Sequence, residues 1–263
     1  MTEINSDSLP LYAKNPLTRF SPRAREYAKY RPSYPSEAIA NILNGLGNVN
    51  TIIAADIGAG TGISARLLAD KGIQVLAVEP NAAMRKMATP HPRVEWLEGT
   101  AEATYLADQS VDLVTTFQAF HWFIPEPTLR EFYRILKPSG RVAIVWNHRY
   151  RKDKFTQEYS TIFKQSSQYH SILQKKHPRP ITALLESSAF ENQRHQMFSH
   201  YQALDVTELI GRTQSASYIP IQGREAEEII AELQELYHRW KDEQGLVYIV
   251  YRTDVYLAEV KEK

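Results

Sequence analysis

Five short runs that are apolar nearly throughout punctuate residues 51–146: TIIAADIG, IQVLAVEP, RVEWLEG, VDLVTTF and RVAIVW. Between them lie stretches with helical spacing. GISARLLADKG ends on Gly72, a C-cap residue, and NAAMRKMA opens on Asn81, an N-cap residue. Pro125–Leu136 is a third such stretch, and PSG at 138–140 reads as a turn before the fifth strand. Strands buried on both faces, alternating with helices of about ten residues, predict a parallel sheet covered on both sides.

The flanks read differently. Residues 1–19 carry no periodicity and are expected to form an arm. A helix is predicted over Pro22–Tyr30, closed by Arg31-Pro32, because the residue before proline disfavours the helical region. A second helix is predicted over Pro35–Leu46, with proline at its start and Gly45 and Gly47 near its end. Beyond Asn147 the segment 150–190 reads as a polar helical insertion or cover, interrupted by KKHPRP. Arg194–Ala203 and Leu246–Leu257 read as strands, with Val206–Arg212 and Arg224–Lys241 as helices between them. The organisation expected is an N-terminal arm or lid over 1–47 and one α/β domain over 48–263.

Charge and composition narrow the function classes. The 263 residues hold 31 Lys plus Arg against 30 Asp plus Glu, so no global field draws the chain to nucleic acid or an anionic membrane. No cysteine is present, which excludes disulfides, thiolate metal sites and a Cys nucleophile and fits a reducing cytoplasm. No run approaches 18 apolar residues, and no secretory pattern opens the chain. His170, His177, His195 and His200 have no zinc-site spacing.

The most specific signal is Asp56-Ile57-Gly58-Ala59-Gly60-Thr61-Gly62, between a strand and a helix. Glycines there let the backbone turn sharply and approach a ligand, and the helix N-terminus adds a positive dipole end. Glu79, about twenty residues beyond Gly58 at the end of the next strand, is placed to accept both hydroxyls of a ribose. This constellation suits either a dinucleotide, whose pyrophosphate sits on the loop, or S-adenosylmethionine, which has no phosphate.

The downstream motifs favour the second. ADIGAGTG at 55–62, VEP at 78–80, EGTAE at 98–102, SVDLVTTFQAFHWF at 110–123 and LKPSGRVAIVW at 136–146 occur in one order. In them the sequence resembles the class I S-adenosylmethionine-dependent methyltransferases, the Rossmann-like group with the type 11 methyltransferase domain. FSPRAREYAKYRPSYP at 20–35 resembles the arm of a subgroup that includes trans-aconitate methyltransferase-like enzymes. The resemblance implies an α/β, Rossmann-like doubly wound sheet of about seven strands, mostly parallel with a late antiparallel strand. Helices lie on both faces, and a helical arm precedes it. It implies that Asp56, Gly58, Ala59 and Gly60 line the methionine end of the donor and that Glu79 holds the ribose. Pro80 or Asn81 then borders the adenine, Thr100, Ala101 and Glu102 flank it, and Phe117, Gln118 and His121 follow the fourth strand at the ligand edge.

Tyr27, with Phe20, Tyr30, Phe117, Phe120, Trp122 and Phe123, supplies aromatic faces for a positive sulfonium. His121 is a candidate general base, unneeded if the acceptor is an already ionised carboxylate. Arg31 is a candidate partner for a carboxylate of donor or acceptor. Arg23 and Arg25 read as helix-surface charges. Trp146 reads as core, with Asn147, His148 and Arg149 as solvated residues, and RYRKDK at 149–154 and the basic run at 175–179 read as solvated loops rather than an RNA or lipid patch. The expected activity is methyl transfer to a small molecule, releasing S-adenosylhomocysteine, by a monomer or homodimer without metal, nucleic acid or stable membrane association. Three rivals stand beside it: a dinucleotide-dependent oxidoreductase, a cyclopropane-fatty-acid-synthase-like enzyme acting on lipid, and a non-catalytic binder of the donor.

Overall fold

A computed structural model describes Tyr12 and residues 20–165 and 181–261. The arm residues 1–11 and 13–19, and the stretch 166–180 with KKHPRP, His170 and His177, lie outside the described residues. Helices α1 (Ala24–Tyr30) and α2 (Ser36–Leu43) precede the alternating part of the chain. That part runs β1 (Ile53–Ile57), α3 (Ile63–Ala69), β2 (Gln74–Val78), α4 (Ala82–Lys86), β3 (Val94–Leu97), β4 (Val111–Phe117), α5 (Pro125–Ile135) and β5 (Leu136–Arg149). The remainder is α6 (Lys154–Ile162), α7 (Thr182–Leu185), β6 (Phe190–Leu204), α8 (Val206–Gln214), α9 (Arg224–Trp240) and β7 (Val247–Val260).

The strands form one seven-stranded sheet in the order β3-β2-β1-β4-β5-β7-β6. The first five pair in parallel, and β7 is antiparallel to both β5 and β6. One face packs under α5, with Phe132 and Ile135 fully buried against Val114, Ile144 and Trp146. The other packs under α2 and α3, with Ile39, Ile42 and Leu68 against Leu113 and Val145. A third cluster joins α6, α8 and α9 to the start of β7 around Tyr159, Leu233 and Ile249. Each fully buried large aliphatic or aromatic side chain in these layers contributes roughly 1.5–3 kcal/mol. Among the described residues no helix is long and apolar enough to cross a membrane.

Three expectations need correction. PSG does not precede β5 but lies inside it. The pairing jumps from Val111↔Leu136 to Leu113↔Arg141, and Ser139 takes φ 60, so these residues form a bulge. Gly140 permits it, since a Cβ there would stand 2.8 Å from the Lys137 carbonyl. Strand β6 is longer than its alternation suggests, because an edge strand with most side chains in water needs little apolar patterning. Arg23 is not a surface charge. It is buried, and its guanidinium donates to the carbonyls of Gln214 and Ile219, tying the arm to the end of α8. Tyr30 tightens the same joint, lying so close to Gly211 on α8 that a Cβ there would fall 2.3 Å from its ring.

Candidate functional site

The sheet order reverses between β1 and β4, because the chain winds one way from β1 to β3 and the other from β4 to β5. Open α/β sheets bind ligands in the crevice at such a point, beyond the carboxyl ends of the strands. A cavity of about 520 Å³ opens there. Gly58, Gly60 and Gly62 follow β1 with φ of 69°, 59° and 76°. The turn is clamped to its neighbour strand, for the amides of Gly58 and Ala59 donate to the Val78 carbonyl at 2.9 and 3.2 Å. A Cβ at Gly58 would lie 2.7 Å from Ala119 Cβ and 2.9 Å from the Phe123 ring, so glycine lets this backbone meet the loop after β4.

Glu79 stands at the centre of one wall. Its Oε2 accepts from the Gly60 amide and its Oε1 from the Asn81 amide, each at 2.9 Å. Burial raises its carboxyl above the ordinary range, although those two amides and Arg85 oppose the shift. Each oxygen keeps a further acceptor position. Pro80, Asn81, Met84, Thr100, Ala101 and Glu102 continue the wall. Asn81 caps α4, its side chain accepting from the amides of Ala83 and Met84. Glu102 accepts from the Ile124 amide at 2.9 Å, placing a carboxylate at the N-terminus of α5.

Asp56 stands elsewhere than its motif position suggests. It is fully buried beneath the loop and absent from the cavity wall. Its two oxygens accept from Ser64 Oγ at 2.6 Å and Thr115 Oγ1 at 2.8 Å. Burial lifts its carboxyl to about 6 against those bonds, and Glu79 adds to the rise. Asp56 therefore joins β1, α3 and β4 under the loop.

The opposite wall is aromatic. Phe20 makes edge contacts with Tyr27 at 5.9 Å and Trp122 at 5.6 Å between centroids. Ser21 bonds Asn81, with Asn81 Nδ2 donating to its hydroxyl at 3.0 Å, so the arm spans the cavity from β2 to the loop after β4. Phe117 lines the base, and Gln118 beside it holds φ 54 while its side chain donates to the Asn147 carbonyl. A non-glycine residue in this conformation is a strained position of the kind that clusters at functional sites.

Arg31 and His121 are separated. Arg31 lines a narrow extension of about 30 Å³, reached past Tyr27, Gly58, Phe117 and Gln118, all of which also line the main cavity. Its guanidinium lies 4.6 Å over the Tyr27 ring and donates to the Ser215 carbonyl at 3.0 Å. His121 lines neither space. Its Nδ1 accepts from Trp146 Nε1 at 3.2 Å, and burial, with His148 and Arg31, lowers its pKa to about 4. The ring is therefore neutral near pH 7, with its proton on Nε2. Asn147 is likewise no solvated residue. It is buried, donating to the Ser33 carbonyl and accepting from Thr253 Oγ1.

The sequence reasoning passed over Met84, Ala119 and Ile124, which line the cavity. Ala119 has no chemical signature, and only its contact with Gly58 marks it. Among the described residues no His, Asp and Glu side chains are grouped to hold a metal ion. The chemistry of the main wall is selective: among the described residues it carries the carboxylates of Glu79 and Glu102 and several aromatic rings, but no Lys or Arg. Such a surface fits a cationic nucleoside with a diol and opposes a pyrophosphate.

Comparison with known proteins agrees. A family model described as a methyltransferase domain matches residues 55–144. Over 223 residues the chain is 31% identical to an uncharacterized methyltransferase-like protein of Schizosaccharomyces pombe, spanning 84% of this chain and 86% of the relative. A second uncharacterized methyltransferase of that yeast is 30% identical, spanning 80% of this chain and 84% of the relative. A solved structure described as a type II methyltransferase, from Anaeromyxobacter dehalogenans, shares the fold with a TM-score of 0.63 at 22% identity, over 89% of this chain and 100% of that one. Phosphoethanolamine N-methyltransferase 2 of Haemonchus contortus, solved with phosphomonomethylethanolamine and S-adenosylhomocysteine, aligns with a TM-score of 0.52 at 18% identity, over 91% of this chain and 56% of that one.

Proposed function

The chain belongs to the class I S-adenosylmethionine-dependent methyltransferases, and from that premise we propose that it methylates a carboxylate oxygen of a small-molecule acceptor. The observation that carries the reading is the cavity wall at the sheet reversal, with two carboxylates, aromatic faces and, among the described residues, no fixed cation. Bound there, S-adenosylmethionine supplies an electrophilic methyl group on a positive sulfur, and transfer leaves S-adenosylhomocysteine.

On this reading each oxygen of Glu79 accepts one ribose hydroxyl in addition to its backbone amide. Thr100, Ala101 and Glu102 flank the adenine opposite Pro80 and Met84. Gly58 and Gly60 admit the donor close to the backbone. Tyr27, Phe20 and Trp122 face the sulfonium, an attraction of roughly 0.5–2 kcal/mol per well-placed ring. Arg31, at the end of the narrow extension beside Gly58 and Ala59, takes the carboxylate of the donor's amino-acid end. The arm excludes water while nucleophile, methyl and sulfur align, and alignment rather than proton transfer limits an in-line displacement.

The acceptor reading follows from what the wall lacks. No His or Lys lines it among the described residues, Glu102 is engaged at the α5 N-terminus, and the His121 ring is neutral with Nδ1 occupied. A nucleophile that arrives ionised needs none of them, and a carboxylate is ionised at neutral pH.

Calorimetric titration with S-adenosylmethionine, S-adenosylhomocysteine, NAD and NADP tests the donor. Binding of the two sulfur nucleosides alone is expected, and binding of NAD or NADP alone overturns the reading. Transfer of labelled methyl to a panel of carboxylic acids, phenols and amines tests the acceptor. Base-labile methyl esters are expected, and label on phenols or amines only would overturn the carboxylate assignment.

A further inference from the structure

Three arginines gather around Tyr218 from three separate parts of the chain, Arg31 after α1, Arg149 at the end of β5 and Arg212 on α8, and Arg31 also lines the narrow extension. Ser215 joins two of them. Its carbonyl accepts from Arg31 Nη2 at 3.0 Å, and its hydroxyl accepts from Arg212 Nη1 at 3.4 Å. Arg149 Nη2 donates to the Tyr218 hydroxyl at 3.3 Å, and its guanidinium lies 4.5 Å over the Phe163 ring. Arg212 Nε donates to the Tyr251 hydroxyl at 3.1 Å. Asn147, two residues before Arg149 on the same face of β5, lines the extension itself.

None of the three pairs with a carboxylate among the described residues. Their partners are carbonyls, hydroxyls and ring faces, and Arg31 Nε is buried with no partner at all. Other arginines of the same chain are treated differently. Arg141 meets Glu259 at 2.9 Å, and Arg85 meets Glu98 at 2.8 Å. Arg212 is only 6% exposed, so its charge has little help from water. Burial and then Arg212 lower the Arg31 pKa. Burial alone would raise the Tyr218 hydroxyl, yet Arg149, Arg212, Arg31 and Arg151 together hold it below the ordinary tyrosine range. Gathering like charges in a desolvated place without a counter-ion costs stability. A ligand that brings the counter-ion relieves that cost.

We propose that Arg149 and Arg212, with Tyr218, whose hydroxyl accepts from Arg149, form an anion-binding subsite that anchors the acceptor by a second anionic group, distinct from the carboxylate that is methylated. The proposal rests on the function proposed above and narrows its substrate class to acceptors with at least two anionic groups. The two groups must differ because a carboxylate gripped by guanidinium N–H groups has its lone pairs engaged and is a poor nucleophile. The anchoring anion can be a carboxylate, a phosphate or a sulfate, which share the same recognition chemistry.

The test uses the full chain saturated with S-adenosylhomocysteine and four probes: glutarate, inorganic phosphate, sulfate and the uncharged glutaramide. Thermal unfolding and calorimetry are read for each. At least one anion is expected to raise the midpoint, glutaramide to do nothing, and the responding anion names the anchoring group. Arg149→Gln is expected to weaken that anion at least about tenfold, as loss of a charge-assisted bond does. It should leave S-adenosylhomocysteine affinity within about twofold and leave the anion-free midpoint unchanged or higher, because one uncompensated charge is gone. Arg212→Lys, which keeps the charge, is expected to fold and to weaken the anion several-fold. A purely packing role would give the opposite signature: a lower midpoint for Arg149→Gln and an unchanged anion shift. That result, or no response of the parent to any of the three anions, overturns the subsite. An anion response in a protein that binds no S-adenosylhomocysteine overturns the donor reading and leaves the subsite standing.

Discussion

The two sides of the site have opposite electrostatic characters. The wall built from β1, β2 and the segment after β3 presents Glu79 and Glu102 and, among the described residues, no basic side chain. The side built from α1, the end of β5 and α8 gathers Arg31, Arg149 and Arg212 and pairs none of them with a carboxylate among the described residues. On the first side the carboxylates are held in place, for Glu79 accepts from two backbone amides and Asp56 beneath it from two hydroxyls. The second keeps an unanswered charge. Under the proposed function a site so divided sorts a cationic donor from an anionic acceptor, and Tyr27, Gly58 and Gln118 line both the main cavity and its extension.

The sharpest way to break the division is Glu79→Ala. It removes a carboxylate proposed to accept both ribose hydroxyls, and charge-assisted bonds of roughly 1.5–3 kcal/mol each put the loss of S-adenosylmethionine affinity at about 100-fold or more. Calorimetry checks it. Any anion-induced thermal shift should survive, since no arginine of the cluster touches Glu79. Joint loss of both responses would mean that the halves are not independent.

Next in size are two buried groups with opposed titrations. Asp56 is lifted to about 6 from an ordinary value near 4, so between those pH values the folded chain holds a proton that the unfolded chain has lost. Stability from this group falls as pH rises through that window, by about 3 kcal/mol over roughly two pH units. His121 is lowered to about 4, so below the ordinary histidine range the unfolded chain takes up a proton that the folded one refuses. Stability from this group falls as pH drops, again by about 3 kcal/mol. In the parent the two nearly cancel between pH 4 and 6. Asp56→Asn is expected to lose denaturant midpoint steeply on acidification, and His121→Phe to gain it. Equal slopes in the two variants would show that burial of one group is wrongly described.

How far each side can be read from sequence follows from how each is built. The donor side comes from consecutive strand–loop–helix units, so Gly58, Gly60, Glu79 and Thr100 stand close to the strand ends that their local patterns mark. The same locality misleads at Asp56, because motif position does not say that Ser64 and Thr115 consume its oxygens. The arginine side has no local signature. Arg149 begins a basic run, RYRKDK, that reads as a solvated loop, and Arg212 sits within an ordinary amphipathic helix. They meet Arg31 only because β5 and α8 converge on the end of α1, a contact across more than 100 residues of chain that no periodicity announces. Arg23 was misread for the same reason: its partners, the carbonyls of Gln214 and Ile219, lie far along the chain.

Gly211 offers a smaller and more selective perturbation. A Cβ there would meet the Tyr30 ring at 2.3 Å, so Gly211→Ala pushes α1 from α8 at an expected cost of about 1–3 kcal/mol, read from the denaturant midpoint. Because α1 carries Tyr27 and leads to Arg31, the displacement should weaken donor and anion together, unlike Glu79→Ala. Tyr30→Ser in the same chain removes the clash and should restore both. Failure of that rescue would mean that the arm is held by Arg23 and Ser21 alone.

The least effect is expected where a motif search would look first for catalysis. His121→Phe preserves the ring volume beside Trp122 but removes the acceptor for Trp146 Nε1, which exposes a buried donor and costs roughly 1–3 kcal/mol of stability. For a carboxylate acceptor, kcat at pH 7 should change by less than about threefold, since an ionised nucleophile asks for no base, whereas a general base typically contributes about 100-fold or more. The two outcomes are far apart. A 100-fold fall in kcat with donor affinity intact would place a proton transfer at His121 and would require an acceptor that arrives protonated. It would also require Trp146 to release Nδ1 when the acceptor binds, because the His121 nitrogen that could take a proton is the one Trp146 now occupies.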